Sequence, residues 1–327
     1  MRFQVSAKGI NGAAGKGQVL AHPLFSDDLE STHVRAVDSL SGGQVAALRQ
    51  IGEATGKRYA LALADGGRLP ATHLLLAGVG PRHDADRQVL RRWAAAVVRR
   101  LAGRRVTRLA IDATPIVAAL RHGAPALRAA GGASFGPGLE ARDVPKNEAE
   151  VLAVELIVRG VIEGLHHEGI DGKSKVDAPP AKLELVEILL PAGCDLPAAQ
   201  AAVRRSEIIA DGTVRTKRWS NLPANEASPL DVAEAARERA RAVGLRARVI
   251  GAAELTRMGA GMLMAVGKGS DNPPCLIVLS GGAPGAKDPL GRRLAMVGKG
   301  VCFDTGGISI KPADGMFSTI AATAWIG

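Results

Sequence analysis

Two lysines and one aspartate lie among four glycines in one stretch near the C-terminal end of the chain. The stretch runs from Val297 to Pro312 and reads VGKGVCFDTGGISIKP, with Lys299, Asp304 and Lys311 as its charged residues. Glycine lets the backbone approach a ligand closely and permits positive φ. The three charged side chains can therefore converge on one small volume, and the composition of the stretch predicts a loop that binds an ion.

An apolar run from Leu294 to Val297 precedes this loop and predicts a buried strand. The charged residues then follow the carboxyl end of a strand, where open α/β sheets place their sites. A second apolar run, Pro274–Leu279, predicts an adjacent core strand. A lone Gly-Lys-Gly is common in exposed turns, and Lys268 occupies another one, so only the whole string is specific.

The whole string resembles the signature of the leucyl aminopeptidase (cytosol aminopeptidase) family of di-metal peptidases. That signature runs Val-Gly-Lys-Gly, two residues, Phe-Asp-Ser/Thr-Gly-Gly, three residues, Lys-Pro. The resemblance implies that Lys299 and Asp304 are metal ligands and that Lys311 is a catalytic lysine that polarises the substrate. It also implies two divalent ions, Mn²⁺ or Zn²⁺, which activate a water toward the first peptide bond. The expected activity is release of N-terminal amino acids, with leucine-type preference, from peptides with a free N-terminus.

The sequence departs from the family pattern after Met316. The family continues with Met-Lys-x-Asp, whose aspartate binds metal, and Ala322 stands at that position here. The later family motif Asn-Thr-Asp-Ala-Glu-Gly-Arg, which supplies two further carboxylate ligands, is not found before residue 327. Two of the five usual ligands are present, so we expect a C-terminally truncated member with little or no activity alone. We also expect exposed apolar surface on its catalytic domain.

The order of patterns predicts an α/β fold with two domains. By the resemblance, residues 1–195 form an N-terminal α/β domain with a mixed sheet. Residues 196–327 form a connecting helix and an incomplete α/β catalytic domain with a central sheet flanked by helices. Apolar spacing predicts the helices Ser41–Thr55, Gln88–Leu101, Glu148–Leu165 and Pro197–Arg218, and the strands Phe3–Ala7, Gln18–Leu20, Arg58–Leu63, His73–Val79, Val106–Ile111, Leu183–Leu190 and Arg246–Ile250.

The residues around Ser228 predict a helix start by themselves. Ser228 can cap the helix, Pro229 suits its first position, and Asp231 completes a capping box. Asn221 and Asn225 just before it belong to an Asn-x-Pro-x-Asn string similar to the family segment that opens the catalytic domain. We interpret both as residues that fix a loop.

Composition and charge limit the other functions that the chain could have. The chain has 327 residues, 46% of them hydrophobic, and no apolar run approaches the ~20 residues that span a bilayer. No secretory leader is visible, so we expect a cytoplasmic protein without a membrane partner. The net charge of +10 leaves open a non-catalytic fragment or a basic accessory protein that binds a partner or nucleic acid. The scattered arginines and 3% aromatics argue against nucleic acid. The resemblance implies a homo-oligomer, a hexamer in the family.

The cysteines and histidines do not suggest another metal centre. The three cysteines are Cys194, Cys275 and Cys302, far apart in sequence, and all seven histidines precede residue 170. No CxxC or HExxH pattern occurs, so a thiolate or histidine zinc site is not indicated. Cys302 lies inside the key loop, which leaves a catalytic thiol as a minor alternative.

Overall fold

The computed structural model describes residues 1–10, 17–121, 148–166, 179–223, 225–281, 295–303 and 309–310. These residues form two compact units, divided between Val214 and Arg215 inside a long helix, Leu196–Asn221. The predicted domain boundary at Asp195 assigns that whole helix to the second domain, and this assignment stays a prediction. Among the described helices, none combines the length and the apolar character needed to cross a bilayer.

A six-stranded mixed sheet forms the centre of the first unit. Its order is β1-β6-β5-β2-β4-β3, in which every neighbouring pair is parallel except the edge pair β4 and β3. The expected mixed α/β domain is therefore confirmed. The strands are β1 (Arg2–Ser6), β2 (Gly17–Phe25), β3 (Leu61–Asp65), β4 (Ala71–Gly80), β5 (Arg108–Asp112) and β6 (Leu185–Leu189).

Helices cover the sheet of the first unit. They are α1 (Thr32–Ser41), α2 (Gln44–Gln50), α3 (Arg87–Arg100), α4 (Thr114–Arg121), α5 (Glu148–Leu165) and α6 (Leu196–Asn221). Buried residues of α3, α4, α5 and α6 share one apolar cluster with the sheet, and buried residues of α1 and α2 share the other. The fully buried Trp93 of α3 fixes that helix to the sheet, because its Nε1–H donates to the Ala77 carbonyl of β4 at 2.9 Å.

Helices α3 and α5 pack closely because small residues lie between them. A Cβ at Gly160 of α5 would stand 2.2 Å from the Arg91 carbonyl oxygen and 2.7 Å from the Ala94 Cβ of α3. One turn later, a Cβ at Gly164 would stand 2.6 Å from the Ala95 Cα. Any larger side chain at these two positions would push the helices apart.

The single helix expected over Ser41–Thr55 is wrong. Helix α1 ends and α2 begins at Gly42 and Gly43, which adopt positive φ of 73° and 83°. Such backbone is costly for other residues but accessible to glycine, so two adjacent glycines interrupt a helix cheaply. Helix α1 also extends over residues for which no helix was expected, from Thr32, with the Ser31 side chain as its cap.

The second unit contains short elements. They are α7 (Pro229–Ala242), β7 (Arg246–Ile250), α8 (Ala252–Arg257), α9 (Gly261–Gly267) and β8 (Leu276–Ser280). Strands β7 and β8 pair in antiparallel fashion, from Arg246 opposite Ser280 to Ile250 opposite Leu276. Helix α7 packs against both strands.

The strand expected over Leu294–Val297 is wrong in its described part. Residues 295–297 have no regular secondary structure, and Met296 and Val297 are almost fully exposed, at 87% and 88%. An apolar run becomes a core strand only where a neighbouring strand pairs with it and other elements cover both its faces. The described residues of the second unit place neither around Met296 and Val297. The expected exposure of apolar surface in this domain is confirmed.

Candidate active site

Lys299 lies in an irregular, exposed segment, residues 295–303. A Cβ added at its neighbours Gly298 and Gly300 would meet no atom within 4 Å, and neither glycine adopts positive φ. Positive φ is therefore not needed at these two positions, and the expected close approach of their backbone to a ligand stays a prediction.

The other predicted site residues, Asp304 and Lys311, lie outside the described residues, as does Ala322. The structure therefore places Lys299 but does not show whether it meets Asp304 and Lys311. The role of Lys311 in catalysis and of Lys299 and Asp304 in metal binding stays a prediction.

The described residues do not hold a divalent ion by themselves. Among residues 1–10, 17–121, 148–166, 179–223, 225–281, 295–303 and 309–310, no group of three or more His, Cys, Asp or Glu side chains comes together. A lysine binds a metal only through its unprotonated amine, which the positive charge of the ion favours and nearby carboxylates disfavour. Lys299 is exposed, and one lysine alone does not hold an ion, so a metal at this position needs further ligands.

The segment that carries Lys299 lies near the first turn of α7. Partial burial, the Cys275 thiol and the Asp231 carboxylate all raise the pKa of Cys302. The Cys275 thiol in turn donates to the Pro229 carbonyl, with 3.4 Å between Sγ and O. A thiol whose pKa is raised is seldom a thiolate at neutral pH. The surroundings of Cys302 therefore do not favour the thiolate that a nucleophilic cysteine uses.

The capping box expected at α7 is confirmed. The Asp231 backbone N–H donates to the Ser228 hydroxyl at 3.3 Å, and the Asp231 carboxylate accepts from the Ser228 backbone N–H at 2.9 Å. The Ser228 hydroxyl also donates to this carboxylate at 2.6 Å. The hydrogen bonds from the Ser228 side chain and backbone lower the pKa of Asp231. This box fixes the start of the helix next to the Cys302 segment.

A buried polar pair in the first unit was not expected from the sequence. The His22 Nδ1 on β2 and the Asp112 Oδ2 on β5 are 2.9 Å apart, and the side chains are 0% and 2% exposed. Burial acts to raise the pKa of Asp112, but the hydrogen bond and charge of His22, helped by the Thr114 N–H, lower it overall. The His22 Nε2 atom is buried, and no described residue forms a hydrogen bond with it. The sequence signal that could have revealed this pair is a polar residue inside each of two otherwise apolar strands.

A second polar cluster, of which Glu150 is buried, joins α4, α5 and the turn after β6. The Glu150 carboxylate of α5 forms an ion pair with Arg121, and the Cys194 thiol donates to it with 3.6 Å between Sγ and Oε1. Burial, and then the charge and hydrogen bond of Glu150, raise the pKa of Cys194 to about 11. This cysteine is therefore a hydrogen-bond donor inside the first unit.

A surface pocket of about 280 Å³ also belongs to the first unit. Val151 and Leu152 of α5 form its apolar part, and an ion pair between Arg205 and Glu155 stands at its wall. None of the predicted site residues lines it. We therefore assign it no part in the candidate active site.

Comparison with known proteins relates both units to one family. The model described as the N-terminal domain of the cytosol aminopeptidase family matches residues 19–132. The model of the catalytic domain of the same family matches residues 214–322, which include Lys299, Asp304 and Lys311. The two models together match about two thirds of the chain.

Individual relatives give the same result over a longer region. A “Probable cytosol aminopeptidase” of Syntrophotalea carbinolica is 35% identical over 254 residues, which are 77% of this chain and 44% of the relative. One of Nitrosococcus oceani is 32% identical over 299 residues, 90% of this chain and 53% of the relative. The chain thus spans about half the length of the curated relatives it matches.

Two solved structures share the fold. The bottromycin maturation enzyme BotP in complex with Mn has a TM-score of 0.59 and 23% identity, covering 94% of this chain and 55% of BotP. A mutant of tomato leucine aminopeptidase has a TM-score of 0.65 and 18% identity, covering 98% of this chain and 59% of that protein. With both domain models in sequence order, the curated relatives and this shared fold, the chain belongs to the cytosol aminopeptidase family.

Proposed function

We propose that this chain contributes to a metal-dependent aminopeptidase site that releases N-terminal amino acids, with a leucine-type preference, from peptides. The observation that carries the proposal is the match of the catalytic-domain model to residues 214–322, which include the Lys299–Lys311 string. Peptides with a free N-terminus are the substrates. The name of the curated relatives, cytosol aminopeptidase, supports a cytoplasmic location. We extend the proposal to a homo-oligomer, a hexamer, as the assembly in which the intact site works.

Lys299 and Asp304 would be the residues of this chain that hold the metal. The proposed cofactor is a pair of divalent ions, Mn²⁺ or Zn²⁺, and the structure of BotP in complex with Mn supports manganese. Such ions supply Lewis acidity and a nucleophilic water at neutral pH. An aspartate can bridge two ions through its two oxygens, whereas a lysine offers one amine, so Asp304 is the more important donor.

Lys311 would act as a cation beside the substrate carbonyl. Negative charge develops on the carbonyl oxygen when a nucleophile adds to it, and a fixed ammonium group stabilises that charge. Removing one such donor commonly lowers kcat by about 10²–10³. Replacement of Lys311 by Ala should therefore affect kcat more than substrate binding.

The chain by itself should have little or no activity. Ala322 stands where the family pattern has a metal-binding aspartate, and the methyl group of alanine cannot bind an ion. The described residues contain no acidic cluster that could replace it. Two donors, one of them a lysine, give weak and incomplete binding of two ions.

Metal titration tests the proposal without relying on activity. We expect weak Mn²⁺ binding by calorimetry, removed by Asp304→Asn and weakened by Lys299→Ala. Lys268→Ala is the matched control, because Lys268 is an exposed lysine between two glycines but lies outside the string. Equal Mn²⁺ binding by all four proteins would contradict the assigned ligands.

Hydrolysis of a leucine anilide by the purified chain with Mn²⁺ or Zn²⁺ tests the expectation that the chain alone has little or no activity. We expect no turnover above that of the Lys311→Ala variant. Turnover that Lys311→Ala abolishes would confirm the role of Lys311 and show that the chain is active alone, against our expectation.

A further inference from the structure

The surface pocket of about 280 Å³ in the first unit has one face of α5 as its floor. Four residues of that helix line it: Glu148, Val151, Leu152 and Glu155. Their spacing, i, i+3, i+4 and i+7, places them on the same side of a helix. Leu152 is buried in the apolar cluster of the sheet, and Val151 packs against that cluster. The floor is therefore apolar between two carboxylates, and the core of the unit holds it in place.

Two arginines from other helices line the same pocket, Arg87 of α3 and Arg205 of α6. Arg205 is already paired, because its Nε donates to Glu155 Oε1 at 2.8 Å. Arg87 and Glu148 are exposed, and neither side chain has an ion-pair partner among the described residues. Since they do not pair with each other either, their charged groups stand more than 4.0 Å apart. The pocket thus presents one unpaired cation and one unpaired anion with space between them.

We propose that this pocket binds a free amino acid with an aliphatic side chain, such as leucine. The α-carboxylate would accept hydrogen bonds from the Arg87 guanidinium, whose planar set of N–H donors matches a carboxylate. The α-ammonium would donate to the Glu148 carboxylate, and the side chain would lie on Val151 and Leu152. Such a ligand pairs both free charges of the pocket and covers its apolar floor.

The size and charges of the pocket argue against other ligand classes. Ligand pockets commonly measure about 300–1,000 Å³, so this one suits a small molecule. A polyanion such as a nucleotide would bring negative charge against Glu148 and Glu155. A purely apolar ligand would displace water from Arg87 and Glu148 without pairing them. Because these charged groups are exposed, we expect weak binding, with a Kd of about 1 mM.

Saturation-transfer NMR of L-leucine with the purified full chain in EDTA tests the site. EDTA removes divalent ions, so no metal in the candidate active site can hold the ligand. We expect saturable transfer to the leucine methyl groups. Arg87→Gln and Glu148→Gln should each weaken leucine binding at least about tenfold, because each removes one charged partner. Arg92→Gln is the matched control, since Arg92 is exposed on α3 but does not line the pocket, and it should bind leucine like the wild type.

Two analogues test the same contacts without changing the protein. Leucinamide lacks the carboxylate and N-acetylleucine lacks the ammonium group, so each should bind the wild-type chain at least about tenfold more weakly than leucine. Acetate carries the negative charge alone and should not compete with leucine at equal concentration.

Several outcomes would overturn the proposal: no saturable transfer to leucine, equal binding by Arg87→Gln or Glu148→Gln, or equal binding of either analogue. Competition by acetate would show a site for anions only, and an equal loss in Arg92→Gln would show a general effect of net charge, so either would overturn it too. A free amino acid is also the product class of the proposed aminopeptidase, but leucine binding here rests on the pocket alone. Failure to bind leucine in EDTA would leave the proposed function intact, and a chain without peptidase turnover would leave the pocket intact.

Discussion

The contact between α3 and α5 gives a sharp test of the first unit. In Gly160→Ala the new methyl carbon would stand 2.2 Å from the Arg91 carbonyl oxygen and 2.7 Å from the Ala94 Cβ. Both lie on α3, and a helix carbonyl cannot rotate away without breaking its hydrogen bond. The helices must therefore separate, which costs about 1–3 kcal/mol for an overpacked core.

An opposing term reduces this cost. Alanine is more favourable than glycine inside a helix by about 1 kcal/mol. Because two contacts would be shorter than 3 Å, the cost of the clash should lie in the upper part of the 1–3 kcal/mol range. After the gain in helix stability is subtracted, we expect Gly160→Ala to lower the free energy of unfolding by about 1–2 kcal/mol. In Gly212→Ala, on α6, the Cβ would meet no atom within 4 Å, so only the helix term remains. That variant should be stabilised by about 0.5–1 kcal/mol.

Urea unfolding monitored by Trp93 fluorescence measures this difference. The chain has three tryptophans, and Trp219→Phe with Trp325→Phe leaves the fully buried Trp93 of α3 as the reporter of the first unit. The two glycine variants are compared in this background. If Gly160→Ala is stabilised as much as Gly212→Ala, α3 and α5 are not in the close contact described and the reasoning fails.

Two further predictions concern the buried polar groups of the first unit. Asp112→Asn should destabilise the protein by about 1–3 kcal/mol near neutral pH, since it removes the carboxylate that pairs with the buried His22 Nδ1. Because the folded-state pKa of Asp112 is lowered, its contribution is fully present above the unfolded-state pKa, about 4, and is lost as the pH falls through the folded value. The stability gap between wild type and variant should therefore shrink below about pH 4, and a gap independent of pH in urea unfolding would contradict a role for the Asp112 carboxylate. For Cys194, whose pKa is raised to about 11 from 9.0, iodoacetamide at pH 8 should react about a hundredfold more slowly than with the unfolded chain. Glu150→Gln should raise the rate at which Cys194 reacts with iodoacetamide in the folded protein. Mass spectrometry of the peptide that contains Cys194 measures this rate, and an unchanged rate would contradict the effect of Glu150.

Local patterns predicted most elements of the fold. The apolar face of Glu148–Leu165 and the short run Arg246–Ile250 gave helix α5 and strand β7 with the bounds of the structure. The Ser228 capping box was readable because all its partners lie within four residues. Such features depend on residues that are neighbours in the sequence, so the sequence alone is enough to predict them.

Features that depend on distant neighbours were not predictable. The pairing of His22 with Asp112 needs the strand order, which places β2 next to β5 across 90 residues. The exposure of Met296 and Val297 depends on which elements cover them, and hydrophobicity alone does not supply that information. For the candidate site, the motif identified Lys299, Asp304 and Lys311 by type and spacing, and only the position of Lys299 is described.

The position of β1 determines when the first unit can fold during synthesis. Strand β1 pairs only with β6 in the described sheet, and Phe3 stands opposite Val186. Closing a loop of that length costs about 4–5 kcal/mol of chain entropy before any contact offsets it. On the ribosome, the first strand made must wait for the last strand of its sheet to emerge from the exit tunnel. Apolar surface that β6 covers in the finished sheet stays exposed throughout that interval, and such surface promotes aggregation of unfinished chains.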